Sequence, residues 1–280
     1  MPLNILKSIK SAYKFINENK NSSSISSIAL IPTMGALHEG HVSLIKKAKK
    51  ECDVVIVSIF INPLQFTKVE DIEKYPEDIN KDKQTLEELE VNALFLPSVE
   101  EMIPDNYSTY INMDNISSIK RPLYYKGAVT ITAKLFNIFY PTHAYFIEHD
   151  YQKIFLIKKM IKDFGYNISV KTIPIVRNEN MLALSSLNSL LSEREKEEAS
   201  VIYKLLKEAR EEFKKASTKS SYLMDIIKNN LRSHKMLKLE YIDIVDKDTL
   251  TSVETAAKNS IILISCYCGS TRLLDNMPLK

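Results

Sequence analysis

The sequence predicts an α/β protein, a parallel-sheet domain followed by a smaller α+β C-terminal domain. Two observations carry that expectation. Up to residue 173, short β-branched runs alternate with amphipathic helical stretches, the order that builds a parallel sheet with helices on both faces. Beyond Pro174 the pattern changes to long, charged helix and then to two apolar runs, which reads as a second unit beginning around Val176. The expected domains are therefore 1–175 and 176–280.

Leu3, Leu6, Ile9, Tyr13 and Ile16 recur at helical spacing, so 1–20 reads as an amphipathic first helix. That stretch has lysines and few acids, a loose likeness to a transit peptide that its lack of arginine weakens. Residues 21–27, rich in serine, read as a loop, 28–31 as a buried strand and 39–50 as a helix. The clearest strand is 54–61, β-branched and bounded by Asp53 and the Asn62-Pro63 break. Residues 78–90 read as helix, 93–96 as strand and 97–104 as loop. An apolar helix at 129–139, a strand at 144–147, a helix at 151–164 closed by Gly165 and a fifth strand at 168–173 complete the first domain. In the second, 192–231 is mostly helix and starts with Glu193, Arg194 and Glu195, while 240–245 and 261–267 read as strands of a small sheet.

Composition sets outer limits. With 280 residues, 45% hydrophobic and 26% charged, the chain has enough apolar material for one large core or two modest ones. Thirty-eight basic residues against 35 acidic give a net charge of +3, without the basic stripe of a dedicated nucleic-acid binder. Three cysteines, Cys52, Cys266 and Cys268, make no disulfide framework, so a reducing, cytoplasmic setting is expected. Cys266 and Cys268 share one strand face, where packing is a better reading than a thiol site. Apolar runs such as 54–57 fall far short of the roughly 20 residues of a membrane span.

Chemistry concentrates in PTMGALHEGH, residues 32–41, directly after a strand and before a helix. Two of the chain's five glycines and two of its five histidines lie there. Gly35 and Gly40 imply a tight turn or a close ligand approach. A helix N-terminus offers unpaired N–H groups and partial positive charge to phosphate, where His38 and His41 add donors. Two other readings compete. A zinc pair is disfavoured because the zincin pattern needs a spacing of four and no nearby His or Cys completes a site. Histidines with no role fit poorly with so coherent a turn. Nucleotide binding is the reading that remains.

This segment, with VSIFINPLQF (57–66), YPEDINKD (75–82), GAVTITAKLFNI (127–138), EHDYQ (148–152), PIVRNENMLALSSLN (174–188) and GSTRLLDN (269–276), resembles the pantothenate synthetase family, the pantoate–β-alanine ligases, over nearly the whole chain. The resemblance implies a HIGH-type nucleotidyltransferase with a Rossmann-like catalytic domain, a smaller domain closing over the ATP site, and a homodimer. It implies that pantoate attacks Mg-ATP to give pantoyl adenylate, which β-alanine converts to pantothenate. Met34, Gly35, His38, Gly40 and His41 would line the ATP site, with His38 and His41 catalytic and His41 the family's proton donor. Asn62 and Gln65 would contact pantoate, and Gln65 also the β-alanine site; an amide donates to carboxylate and accepts from hydroxyl.

The rest of the implied site departs from the family pattern. The GEKD loop is here Ile147, Glu148, His149 and Asp150, so a glycine and the phosphate-binding lysine are replaced while the magnesium-associated Asp150 is kept. Lys153 stands where a pantoate-binding glutamine is expected. Val176 is carried over as a nucleotide contact, and the MSSR loop reads Leu184, Ser185, Ser186 and Leu187, without its arginine. RPxHF has become RPLYY at 121–125, and a loop glycine has become Met181. Each lost transition-state donor costs about 10²–10³ in rate, so losing two costs on the order of 10⁴ unless His149 and Lys153 substitute. The alternative is a catalytically impaired paralogue that keeps the fold and nucleotide or partner binding. A different nucleotidyltransferase would not share VSIFINPLQF, and a tRNA synthetase fragment would need an RNA-binding surface.

Overall fold

The structure is a computed structural model and describes residues 2–20, 25–66, 72–114, 116, 119–215 and 219–280. Residues 21–24 of the expected serine-rich loop and 216–218 of the expected helical stretch lie outside the described residues. Two compact units are present. One comprises Met1–Met113, Arg121–Glu148 and Leu156–Pro174; the other comprises Asp114–Lys120, His149–Phe155 and Ile175–Lys280.

In the first unit, β1 (Asn4–Leu6), β2 (Ile28–Thr33), β3 (Val54–Ile59), β4 (Ala93–Phe95), β5 (His143–Ile147) and β6 (Ser169–Ile173) form, among the described residues, one parallel sheet in the order β1-β4-β3-β2-β5-β6. Helices α1 (Ile9–Lys20), α2 (Glu39–Glu51), α3 (Ile79–Glu88), the four-residue α4 (Val99–Met102), α5 (Pro122–Phe139) and α6 (Tyr151–Phe164) lie between the strands in sequence; the boundary between the units falls inside α6. All six residues of β3 are buried, as a central parallel strand covered on both faces requires. After β2 the chain builds outward through β3 and β4, then returns to add β5 on the other side of β2. The strand order therefore reverses between β2 and β5, and in such sheets the carboxyl ends at the reversal are where ligands bind.

Several expectations need correction. The first helix begins at Ile9, not in the opening residues, because Asn4–Leu6 pairs with Ala93–Phe95 as an edge strand. Ser8 ends the strand and starts the helix: its hydroxyl accepts from the Ser11 N–H (3.1 Å) while its own N–H donates to the Ser11 hydroxyl (3.1 Å). Within 97–104, Ser98 caps the short helix α4. The apolar helix starts at Pro122, seven residues before the expected 129, with proline in its first turn.

The second unit holds α7 (Glu193–Lys215), α8 (Ser220–Leu231) and a three-stranded antiparallel sheet, β7 (Leu237–Asp246), β8 (Ser260–Cys268) and β9 (Thr271–Pro278). Strand β9 is not among the strands expected from the sequence. Ala199, Leu206, Leu223 and Ile227 of the helices share a core with Ile262, Ile264, Cys266 and Cys268 of β8. Both thiols are fully buried, and burial pushes Cys266 up to about 12, so packing is their role. Segments 114–120 and 149–155 belong to this unit because Ile116, Ile119, Tyr151 and Phe155 pack on Val245, Leu250, Ile261 and Leu263. Among the described residues, no helix is long and apolar enough to cross a membrane.

Candidate functional site

The 32–41 segment leaves the carboxyl end of β2, at the strand reversal. Thr33 Oγ1 donates to the Ser58 carbonyl (2.9 Å) and accepts from the Gly35 N–H (3.3 Å), closing the first turn. Gly35 (φ +82°) and Ala36 (φ +48°) are then both left-handed. For alanine that conformation costs about 1–2 kcal/mol. It is held by Asp82, whose carboxylate accepts from the N–H groups of Ala36 (2.9 Å) and Leu37 (2.7 Å). Hydrogen bonds to a charged acceptor contribute about 1.5–3 kcal/mol each, so two outweigh the backbone penalty.

His38 follows as the N-cap of α2, extended at φ −130° and ψ 175°. Its Nδ1 accepts from the Gly40 N–H (3.1 Å), and His41 Nδ1 accepts from the His38 N–H (3.3 Å). This is a reciprocal capping box in which two imidazoles replace the usual hydroxyl and carboxylate. The ring centroids lie 4.1 Å apart. Because each Nδ1 accepts, the hydrogen-bond pattern assigns the Nε2–H tautomer to each ring, which gives both histidines an N–H donor at a helix N-terminus. A polyanion is the ligand such a corner suits. Met34 is half-buried in the preceding turn. Gly40 brings Ile147 into the group: a Cβ there would lie 3.1 Å from Ile147 Cδ1 and 2.8 Å from His38 Cε1. Ile147 thus fills space beside the cap from the end of β5. Next to it, Glu148 donates its N–H to the Ile173 carbonyl (3.0 Å) and accepts from Thr172 Oγ1 (2.6 Å).

At the end of β3, Asn62 caps a 3₁₀ turn (Pro63–Gln65) by accepting from the Leu64 N–H (3.1 Å). Its Nδ2 donates to Gln65 Oε1 (3.0 Å) and to the Gly127 carbonyl (3.1 Å). Both amides are buried. Asn62 is therefore committed to the fold on both ends, and the donor end of Gln65 is what the pair offers a carboxylate. The approach of α5 depends on Gly127, since a Cβ there would overlap the Leu64 carbonyl and lie 2.7 Å from Leu64 Cβ.

The other expected site residues belong to the second unit. The His149 carbonyl accepts from Asn276 Nδ2 (3.1 Å), and the buried Asp150 accepts on Oδ1 from the Lys153 N–H (3.1 Å). Val176 accepts from the Leu184 N–H (2.9 Å) across a short hairpin whose Arg177 and Ala183 are bridged. Arg177 anchors the hairpin with a bidentate pair to the buried Asp275 (2.7 and 2.8 Å), stacked over Tyr203 at 4.1 Å. Ser185 caps the 3₁₀ turn Ser186–Leu190 by accepting from the Leu187 N–H (3.3 Å). Neighbouring residues of β9 thus tie down both segments, Asp275 through Arg177 and Asn276 through the His149 carbonyl. Met181 sits at the tip of the hairpin with φ +68°, exposed. Glycine suits this conformation, and Met181→Gly is expected to stabilise the protein by about 1 kcal/mol, measured as a shift in the urea midpoint at unchanged slope.

Within the first unit the structure gathers His38, Gly40, His41 and Ile147 in one group and Asn62 with Gln65 in another. Sequence reading assigned no role to Asp82 or Gly127, although both lie in motifs it singled out. Among the described residues no three or more His, Cys, Asp or Glu side chains are arranged to hold a metal ion.

The family model described as Pantoate-beta-alanine ligase matches residues 4–278. The pantothenate synthetase of Clostridium botulinum (strain 657 / Type Ba4) is 41% identical over 282 aligned positions, covering 99% of this chain and 100% of the relative. That of Acetivibrio thermocellus is 38% identical with the same coverage. Among solved structures, a pantoate-β-alanine (pantothenate synthetase) structure from Thermus thermophilus superimposes with a TM-score of 0.91 at 31% identity, covering 99% of both chains. The pantoate-β-alanine ligase of Francisella tularensis, complexed with β-γ ATP and β-alanine, superimposes at 0.83 with 34% identity, covering 99% of this chain and 98% of that one.

Proposed function

Because the chain belongs to the pantoate–β-alanine ligase family, we propose that it joins pantoate to β-alanine at the expense of ATP, through a pantoyl-adenylate intermediate. The observation that carries the proposal is the reciprocal His38–His41 cap at the strand reversal, two fixed Nε2–H donors on a helix N-terminus. In the first step a pantoate carboxylate oxygen attacks the α-phosphorus, the bond to the bridging oxygen breaks, and pyrophosphate leaves. In the second the amine of β-alanine attacks the acyl carbon, AMP leaves, and the nitrogen loses its proton.

Attack of one anion on another is a problem of alignment and charge neutralisation. His38 and His41 donate to phosphate oxygens as charge builds on them, with His41 the proton donor, and the α2 N-terminus adds its partial charge. Met34, Gly35 and Gly40 supply close-lying backbone for the nucleotide, as do Ile147, Glu148 and Val176. Gln65, held by Asn62, takes the pantoate carboxylate and serves the β-alanine site, with Lys153 as a second substrate contact. His149, Leu184, Ser185, Ser186 and Leu187 serve the triphosphate. Magnesium enters as Mg-ATP, the substrate, and Asp150 would hold it. One buried carboxylate suits an ion that keeps water and phosphate among its ligands. In this reading the protein is a cytoplasmic homodimer; sedimentation of the purified chain tests the dimer.

The test is pyrophosphate release dependent on pantoate, followed by AMP release dependent on β-alanine, together with rescue of a pantothenate auxotroph. The replacements His149 and Leu187 favour a second reading, a paralogue that binds nucleotide without turning it over. The two readings separate on one variant. His149→Lys with Leu187→Arg is expected to raise pyrophosphate release by about 10²-fold or more. A wild type that binds ATP but releases no pyrophosphate, and regains release in the double variant, is the impaired paralogue.

A further inference from the structure

Resting on that reading, we infer that Asp82 is a positioning residue for the reaction: it sets the backbone turn that delivers both imidazoles. Asp82 lies in the first turn of α3, anchored by the helix, and is 1% exposed, so it is not placed to touch substrate. Its two oxygens take consecutive N–H groups, those of Ala36 and Leu37, and the next residue is His38. Gly35 is fitted to the same carboxylate, since a Cβ there would lie 3.2 Å from Asp82 Oδ2 and 3.1 Å from Ile59 Cγ2. A buried carboxylate thus holds the exit of a left-handed pair, Gly35 and Ala36, and the one residue, Leu37, that separates it from the His38 cap. Burial pushes this carboxyl above its ordinary range, against the pull of the Leu37 and Ala36 amides in the other direction. Ala36 is the tell-tale: a non-glycine residue in this conformation carries a backbone cost, which the two bonds to Asp82 offset.

Asparagine at 82 keeps the size but turns an NH₂ toward one of the two N–H donors, so one bond is replaced by a clash. A glycine at 36 adopts the left-handed turn without help. The experiment compares wild type, Asp82→Asn, Ala36→Gly and the double variant in the full-length chain. Turnover at saturating ATP is read beside long-range ¹H–¹⁵N spectra of the imidazoles, assigned with His38→Gln and His41→Gln. Asp82→Asn is expected to lower kcat for pyrophosphate release by about 100-fold, the penalty of a small misplacement of catalytic groups, with the KM for pantoate changed less than about threefold. Adding Ala36→Gly is expected to recover about tenfold relative to Asp82→Asn, which a general loss of stability would not show. The spectra should show Nε2–H tautomers in wild type, a mixture in Asp82→Asn, and recovery in the double variant. A folded Asp82→Asn protein with wild-type imidazole spectra, or a double variant that recovers neither spectrum nor rate, overturns the inference. Because the spectra need no turnover, a wild type that shows the tautomers but releases no pyrophosphate overturns the functional reading alone.

Discussion

Replacing His41 by alanine is expected to lower pantoate-dependent pyrophosphate release by about 10²–10³-fold, the usual consequence of removing one donor to a developing charge. Two losses are combined in that number. The Nε2–H donor disappears, and so does the Nδ1 acceptor that holds the His38 N–H at 3.3 Å. A lost cap alone costs about 1 kcal/mol of stability, far less than the expected loss of rate. His41→Gln separates the two, because glutamine at this position of a capping box accepts from the cap N–H but presents no ring donor. Its melting temperature should return toward wild type while its turnover stays low. The corresponding His38 variants, alanine against asparagine, should divide in the same way. A folded His41→Ala protein that releases pyrophosphate at the wild-type rate would remove His41 from the mechanism.

Gly127→Ala is expected to be the most damaging single methyl in the chain. The added Cβ meets the Leu64 carbonyl and Leu64 Cβ, which are backbone and root of a side chain and cannot swing aside. Either α5 moves outward or the 3₁₀ turn moves, and in both cases the Asn62 bond to the Gly127 carbonyl is stretched. Overpacking of this kind costs about 1–3 kcal/mol, or about 2–4 °C of melting temperature per kcal/mol for a chain of this size. Since Asn62 in turn holds Gln65, the KM for pantoate should rise by about tenfold or more, roughly 1.4 kcal/mol, while the KM for ATP changes little. Equal rises in both constants would show that the turn does not select for pantoate.

What can be read from the sequence follows from how local each signal is. The helix at 151–164 is legible to the residue, because its period lies within it and its closing glycine, Gly165, directly follows it. The opening strand is hidden for the opposite reason. Leu3 and Leu6 fit a helical spacing by accident, and only the partner Ala93–Phe95, some ninety positions away, makes Asn4–Leu6 extended. Ser8 is the local clue, an N-cap in front of Ile9. Strand β9 is masked by Arg272, Asp275 and Asn276, polar residues that a buried strand accepts only because Arg177 and the His149 carbonyl answer two of them. At the site, glycine and histidine spacing marks the turn. It does not reveal that the rings cap one another, nor that a carboxylate 46 positions away shapes the approach. Those facts depend on distance in space, for which a single sequence keeps no local record.

The reciprocal cap also bears on how such a site changes over generations. His38 accepts from the Gly40 N–H of the helix it caps and His41 accepts from the His38 N–H, so altering either one leaves its partner in a different environment. The effect of a change at one position therefore depends on the residue at the other. Positions 149 and 187 are tied differently: the first through its backbone carbonyl, the second through its backbone N–H. Side chains at positions held by their backbone can be exchanged one at a time with the loop path intact. Exchanging the side chain at 149 or 187 should therefore leave the path of its loop intact, whereas an exchange at 38 or 41 alters the cap that shapes the other.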